Sequence, residues 1–256
     1  MGGAMSLDLS RVKKAGIVGV PPLAVIRELY DGGIELVDLD ATLVAADLEC
    51  AVTLLPRVYC AILRTVVVNG LHLDLDLIVI DTGPGKCDAA AHTARIMAEK
   101  IATPVVTCEN RDRDHFGNPV CESGLPLIKK MELITEGVKL PYNKNNDLPP
   151  VPASAGFWGV PPRDFSLLEL FQDTTHVYGW SRCMENKTPA DGTLEAMCNP
   201  AVPTVFFAQS FCAKTALARH LAASHPHGLY VDVDATATAS CRAKIEAFLE
   251  LSGAKQ

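Results

Sequence analysis

Residues 15–22 read AGIVGVPP and residues 155–162 read AGFWGVPP. Six of these eight positions are identical, at an offset of 140 residues. Self-similarity at a long, fixed offset is the mark of a duplicated unit. After a shift of one residue the likeness continues. Glu28-Leu29-Tyr30 aligns with Glu169-Leu170-Phe171, and Ile34–Val37 aligns with Thr175–Tyr178. Each half then carries an apolar strand pattern, a polar loop with a cysteine, a helix and a further strand. In the first half these are Leu77–Asp81, the loop to Cys87, Ala89–Ile101 and Pro104–Cys108. In the second they are Thr204–Ala208, the loop to Cys212, Ala213–Ser224 and Leu229–Val233. Short runs rich in Val and Ile, alternating with amphipathic helices, specify parallel sheets covered by helices. The expected fold is therefore α/β: two similar lobes with a cleft between them. The first lobe is placed at residues 10–140 and the second at 155–256, joined by a Pro- and Asn-rich linker at 141–154. Val66-Val67-Val68 ahead of Asn69-Gly70 stays open between a strand ending in a hairpin and a helix stopping at the glycine.

The chain has 256 residues, 48% hydrophobic and 21% charged, with a formal charge of −7. It can bury a core without disulfide or metal staples. The acidic balance and an aromatic content of 6% argue against nucleic acid as a partner. No apolar run is long enough to span a bilayer, so no membrane association is expected. The first ten residues lack a basic segment followed by an apolar one, so no secretory leader is expected. Gly2 and Ser6 formally fit an N-myristoylation pattern, but a start at Met5 is the favoured reading. Nine scattered cysteines, an odd number, do not suit a secreted disulfide framework. A reducing cytoplasm is expected.

In open parallel sheets ligands bind beyond the carboxyl ends of the strands, and between paired lobes the cleft is the default site. Cys87, Cys108, Cys183 and Cys212 all map to strand ends or helix starts. Thiols there, beside Lys86 and Lys214, are suited to nucleophilic chemistry or soft-metal ligation. Cys50 and Cys60 lie in apolar runs and are assigned to the core. Thr82-Gly83-Pro84-Gly85-Lys86 suits an anion-binding turn, although it is not a Walker A sequence. VDLDAT at 37–42 and VDVDAT at 231–236 each follow a strand, so Asp38 and Asp40, and Asp232 and Asp234, are candidates for the rim of the site. In ENRDRDH at 109–115, Arg111 suits an anionic substrate and His115 proton transfer. WSRCMENK at 180–187 crowds Arg182, Cys183, Glu185 and Asn186 together, and a functional role is expected for them. Gln209 in the matching loop is suited to orienting a substrate. His220, His225 and His227 more readily complement a helix end than bind zinc.

These residues lead first to an enzyme or cofactor-handling protein of redox, anaerobic metabolism. Cys87, Cys108, Cys183 and Cys212 would hold a metal or iron–sulfur cluster in the cleft. An anionic small molecule would be its partner. The missing Cys-x-x-Cys spacing counts against this expectation. A second reading rests on resemblance. Ile78–Val106 and Val205–Asp232 have the strand–loop–helix–strand layout of the aspartate/glutamate racemase superfamily, and in outline the chain resembles that family. The family's Cys-Asn-Thr and Gly-Cys-Thr signatures are absent, and Cys87 follows its strand at a distance. The resemblance implies two pseudo-symmetric lobes and a cofactor-independent racemase, isomerase or lyase acting on a small carboxylate. It also implies Cys87 and Cys212 as the acid/base pair. A non-catalytic protein closing on a small ligand is the third.

Overall fold

The computed structural model describes residues 9–145 and 147–253. The N-myristoylation pattern at Gly2 and Ser6 falls outside them. The chain forms two four-stranded sheets, every strand parallel to its neighbours. The first contains β1 (Lys14–Val18), β2 (Glu35–Asp38), β3 (Leu77–Asp81) and β4 (Val105–Cys108), in the order β2-β1-β3-β4. The second contains β5 (Ala155–Gly159), β6 (Thr175–Tyr178), β7 (Thr204–Gln209) and β8 (Gly228–Val233), in the order β6-β5-β7-β8. The two orders are the same, so the internal repeat is a repeat of topology. Its quoted segments are β1 and β5, the second strand in each sheet order.

The repeated glycines have a packing reason. A methyl group on Gly16 would meet Leu39 Cδ1 at 2.6 Å, and one on Gly156 would meet Thr204 Oγ1 at 2.5 Å. Both sit where a neighbouring side chain crosses the central strand.

The helices of the first half are α1 (Leu23–Asp31), α2 (Ala61–His72) and α3 (Asp88–Lys100). After β4 come α4 (Leu127–Val138), then α5 (Trp180–Asn186) and α6 (Gly192–Ala196), and finally α7 (Thr215–Ser224) and α8 (Ala239–Leu251). Alternate residues of each strand face opposite layers. Ile17, Val79, Phe157 and Phe207 belong to one core that runs through both halves, together with Met131 and Ile134 of α4. Val18, Ile78 and Ile80 face a second layer built on α2 and α3. Trp158 and Phe206 face a smaller third layer with α7. The shared core means that the lobes fold against each other. Helix α4 packs on β2 of the first half and on α5 and β6 of the second. The segment expected as a linker runs along the first half's partner segment, with Val151 N–H donating to Glu122 O (2.9 Å) and an antiparallel bridge between Ser123 and Pro150.

Asn69-Gly70 resolves as helix interior. The Asn69 amide donates to Leu39 O (2.9 Å) and Ala41 O (2.7 Å), so its side chain anchors the loop after β2. Gly70 lets Met97 of α3 approach, since a methyl there would meet Met97 Cε at 2.6 Å. Among the described residues, no helix is long and apolar enough to cross a membrane.

Candidate active site

A cavity of about 340 Å³ opens at the carboxyl ends of the strands, between the two halves. Its volume is in the range of small-molecule sites. The first half supplies the end of β2 (Asp38, Asp40), the start of α2 (Cys60) and the loop after β3 (Lys86, Cys87). The second half supplies Pro162, Arg163, Trp180 and Met184, Gln209, Cys212 and Lys214. Apolar side chains dominate the walls.

Cys87 and Cys212 occupy comparable places. Cys87 is the N-cap residue of α3, after β3, at the end of the helix that attracts negative charge. Cys212 follows β7, which holds the same place in the second sheet, and its N–H donates to Gln209 O (3.0 Å). The turn that delivers it is tight, because Phe211 adopts the left-handed conformation (φ 62°). That conformation is costly for a bulky residue. The third thiol is Cys60, the N-cap of α2. Burial pushes its pKa up to about 12, and Cys212, Cys87 and Asp40 add to the effect through their charges. Burial likewise raises the pKa of Cys212. Both thiols are therefore held in the protonated form near neutral pH.

The cations of the cavity differ in how they are tied. Lys214 donates to Gly85 O (3.1 Å), pairs with Glu195 (2.5 Å) and lies 4.5 Å from the Trp180 ring centroid. Lys86 lies 5.3 Å from the same ring and packs on Gly19; it makes no ion pair among the described residues, although its charge acts on Asp38. Trp180 thus carries a cation from each half. Arg163 lines the cavity, and its Nε donates to Thr65 Oγ1 (2.9 Å), a bond between the halves. Gln209 accepts from Arg163 N–H (3.2 Å) and donates to Val233 O (2.7 Å). It braces the Arg163 loop.

Asp38 is 7% exposed. Burial first, and the Asp40 charge second, push its pKa up to about 8, against opposing pulls from the Asp40 amide, Lys139 and Lys86. Asp40 accepts from Gly19 N–H (2.8 Å), which fixes the turn after β1.

The remaining expected residues lie elsewhere. Cys108 and Cys183 do not line the cavity. Burial pushes each up to about 12. Their sulfurs contact Ile80 O (3.7 Å) and Asp191 O (3.7 Å) respectively. The expected four-cysteine set is thus not assembled. Among the described residues no group of three His, Cys, Asp or Glu side chains is arranged to hold a metal ion.

The polar cluster of α5 fastens the halves together. Glu185 accepts from Val120 N–H (2.7 Å) and Cys121 N–H (2.9 Å). Arg182 pairs with Glu122. Asn186 accepts from Gly117 N–H (2.8 Å) and contacts His115 Nδ1 (2.5 Å). His115 is therefore also outside the cavity. Trp180 and Met184, one turn apart on α5, are the residues that face it. Arg111 pairs with Glu109 at the surface (2.8 Å). Asp232 accepts from Ser210 Oγ (3.2 Å), and Asp234 pairs with Arg64 across the halves. His225 contacts Asn199 O (3.1 Å) and packs on Phe206.

Two reactive or charged residues of the cavity, Cys60 and Arg163, were not among the site residues expected from the sequence. Cys60 stands in an apolar run and carried no signal. Arg163 did carry one: it takes the place of Leu23 in the first copy of the repeat, directly after Pro-Pro. No protein-family model matches the chain, and no curated protein sequence matches it.

Proposed function

We propose that the interlobe cavity is the active site of an enzyme that moves a proton at a carbon next to a carboxylate, without a cofactor. Racemisation, epimerisation and isomerisation of a small acid are the reactions in this class. The observation that carries the reading is the delivery of Cys87 and Cys212 to one cavity from corresponding strand–helix junctions of the two halves. The outline resemblance to the aspartate/glutamate racemase superfamily points the same way.

Cys87, as thiolate at the start of α3, takes the proton from the substrate carbon. Its C–H bonding pair passes into the adjoining carboxylate to give an enediolate. Cys212, kept protonated by burial, returns a proton to that carbon, so sulfur and carbon both balance. The reverse reaction exchanges their roles. Lys86 and Arg163 are the cations available to hold the carboxylate and the charge that develops on it. The apolar walls suit an uncharged substituent.

Incubating the protein in D2O with a panel of small chiral carboxylates tests the reading. Deuterium should enter the carbon beside the carboxylate of at least one acid, and Cys87→Ser and Cys212→Ser should each lower the exchange by two orders of magnitude or more. Exchange that persists in both variants would overturn the assignment.

A further inference from the structure

Asp38 is a carboxyl group in a place where the proposed reaction gives it no part. It closes β2 at the cavity wall and is almost wholly buried. Its Oδ1 accepts from Asp40 N–H (3.0 Å). No donor among the described residues reaches its other oxygen. The charged groups that face it are Asp40 on its own strand end, Lys86 from the loop after β3, and Lys139 from the end of α4. Lys139 is already paired with Glu136 (2.7 Å). The thiols of Cys60, Cys87 and Cys212 share the cavity.

An ionised carboxylate here would be poorly solvated and would stand beside a second acid. It would also repel the carboxylate that Lys86 and Arg163 are placed to hold. A carboxylic acid would do the opposite, since its O–H is a donor.

We propose that Asp38 is a specificity-determining residue of this site: it stays a carboxylic acid and donates a hydrogen bond from its free oxygen to the ligand's carboxylate. The inference rests on the cavity being a carboxylate site, as proposed above. Burial holds the group in that form up to about pH 8. By linkage, a bound anion strengthens the proton's hold, and the proton strengthens the anion's. Above that pH the same residue turns against the ligand class it selects.

Two alkylating reagents of similar size separate this role from others. Iodoacetate is an anion and iodoacetamide is neutral, and both react with the same thiolates. The ratio of their rates at Cys87, read by mass spectrometry of the intact chain and its peptides, cancels the thiolate fraction. In the native protein the ratio should favour iodoacetate near neutral pH and fall about tenfold between about pH 6 and about pH 9. Asp38→Asn keeps the shape and an N–H donor but cannot ionise, so its ratio should stay high and level. It retains Cys60, Cys87, Cys212, Lys86, Lys139 and Asp40, so the difference between the two profiles reports Asp38. Asp38→Leu, which keeps Lys86 and Arg163 but has neither donor nor charge at this position, should show a level ratio below that of Asp38→Asn. A level profile in the native protein, or an equal fall in Asp38→Asn, would overturn the proposal. The ratio does not depend on turnover. A level profile with solvent exchange intact refutes Asp38's role alone. A pH-dependent ratio with no exchange in any acid refutes the two-thiol reaction alone.

Discussion

Gly85→Ala is the substitution on which the joint between the halves and the site it carries should both fail. Gly85 has φ 89°, where a side chain is strained whatever the space. Space is lacking as well. An added methyl would lie 2.6 Å from the Pro189 carbonyl carbon, with the carbonyl oxygen nearer still. Ordinary contacts begin at 3.4 Å, so the two segments must part by well over an ångström. Gly33→Ala measures the conformational part alone. Gly33 has φ 71°, and a methyl there meets nothing within 4 Å. The left-handed backbone costs about 1–2 kcal/mol, and that should be the whole loss in Gly33→Ala. In Gly85→Ala the forced separation adds about 1–3 kcal/mol of overpacking. The total loss should therefore be about 2–5 kcal/mol. Urea unfolding of the two variants beside the native protein measures both. Lys86 and Cys87 follow Gly85 directly, and Lys214 donates to its carbonyl. A shift of an ångström there should lower activity about a hundredfold, while Gly33→Ala leaves activity unchanged. Equal stability losses in the two variants would refute the reasoning, because the contact with Pro189 would then carry no cost.

Other consequences are separately measurable. Glu185→Ala leaves two buried N–H groups, of Val120 and Cys121, without their acceptor. Calorimetry or urea melts should show a loss of about 2–4 kcal/mol, and a loss below about 1 kcal/mol would contradict the assigned role. Asp38 keeps its proton to about pH 8 when folded, against 3.8 as the ordinary value. Over that window the folded protein binds more protons than the unfolded chain, so this group's contribution to stability falls as pH rises. Asp38→Asn removes the fall. Its advantage over the native protein should grow between about pH 4 and about pH 8, to at most about 6 kcal/mol, and then level off. Melts across that range would refute this by showing a constant difference. Cys108→Ser and Cys183→Ser alter buried contacts outside the cavity. They should lower the melting temperature and leave the exchange rate and the labelling of Cys87 within twofold. A hundredfold loss of exchange in either would return these thiols to the site.

The fold could be read from the sequence because duplication exposed it. Gly16 and Gly156 recur because each copy packs a side chain over its central strand, and such constraints survive in the residues themselves. The strand at 77–81 and the helix and strand that follow it showed the local periodicity that sets secondary structure. Asn69-Gly70 did not, since its turn chemistry is overridden by the approach of Met97 and by bonds to the loop after β2. The site was half legible. Lys86, Cys87, Gln209, Cys212, Lys214 and Asp38 could be chosen from topology, because strand ends are where such folds place ligands. Glu185, Arg182 and Asn186 looked equally suitable. Their partners lie 60 or more residues away in the chain, in the segment from Gly117 to Glu122. No local pattern separates a polar side chain used to join two halves from one that meets a ligand. Cys60 shows the converse, a cavity thiol inside an apolar run.

The account depends most on Cys87 and Cys212 sharing one enclosed space. Labelling with a bulky maleimide, followed by peptide mapping, tests this directly. A cavity of about 340 Å³ admits one such group beside its own walls. Modification of Cys87 should therefore protect Cys212, and Cys87→Ser should restore labelling at Cys212. Doubly labelled chains accumulating at the product of the two single-site rates would contradict the account.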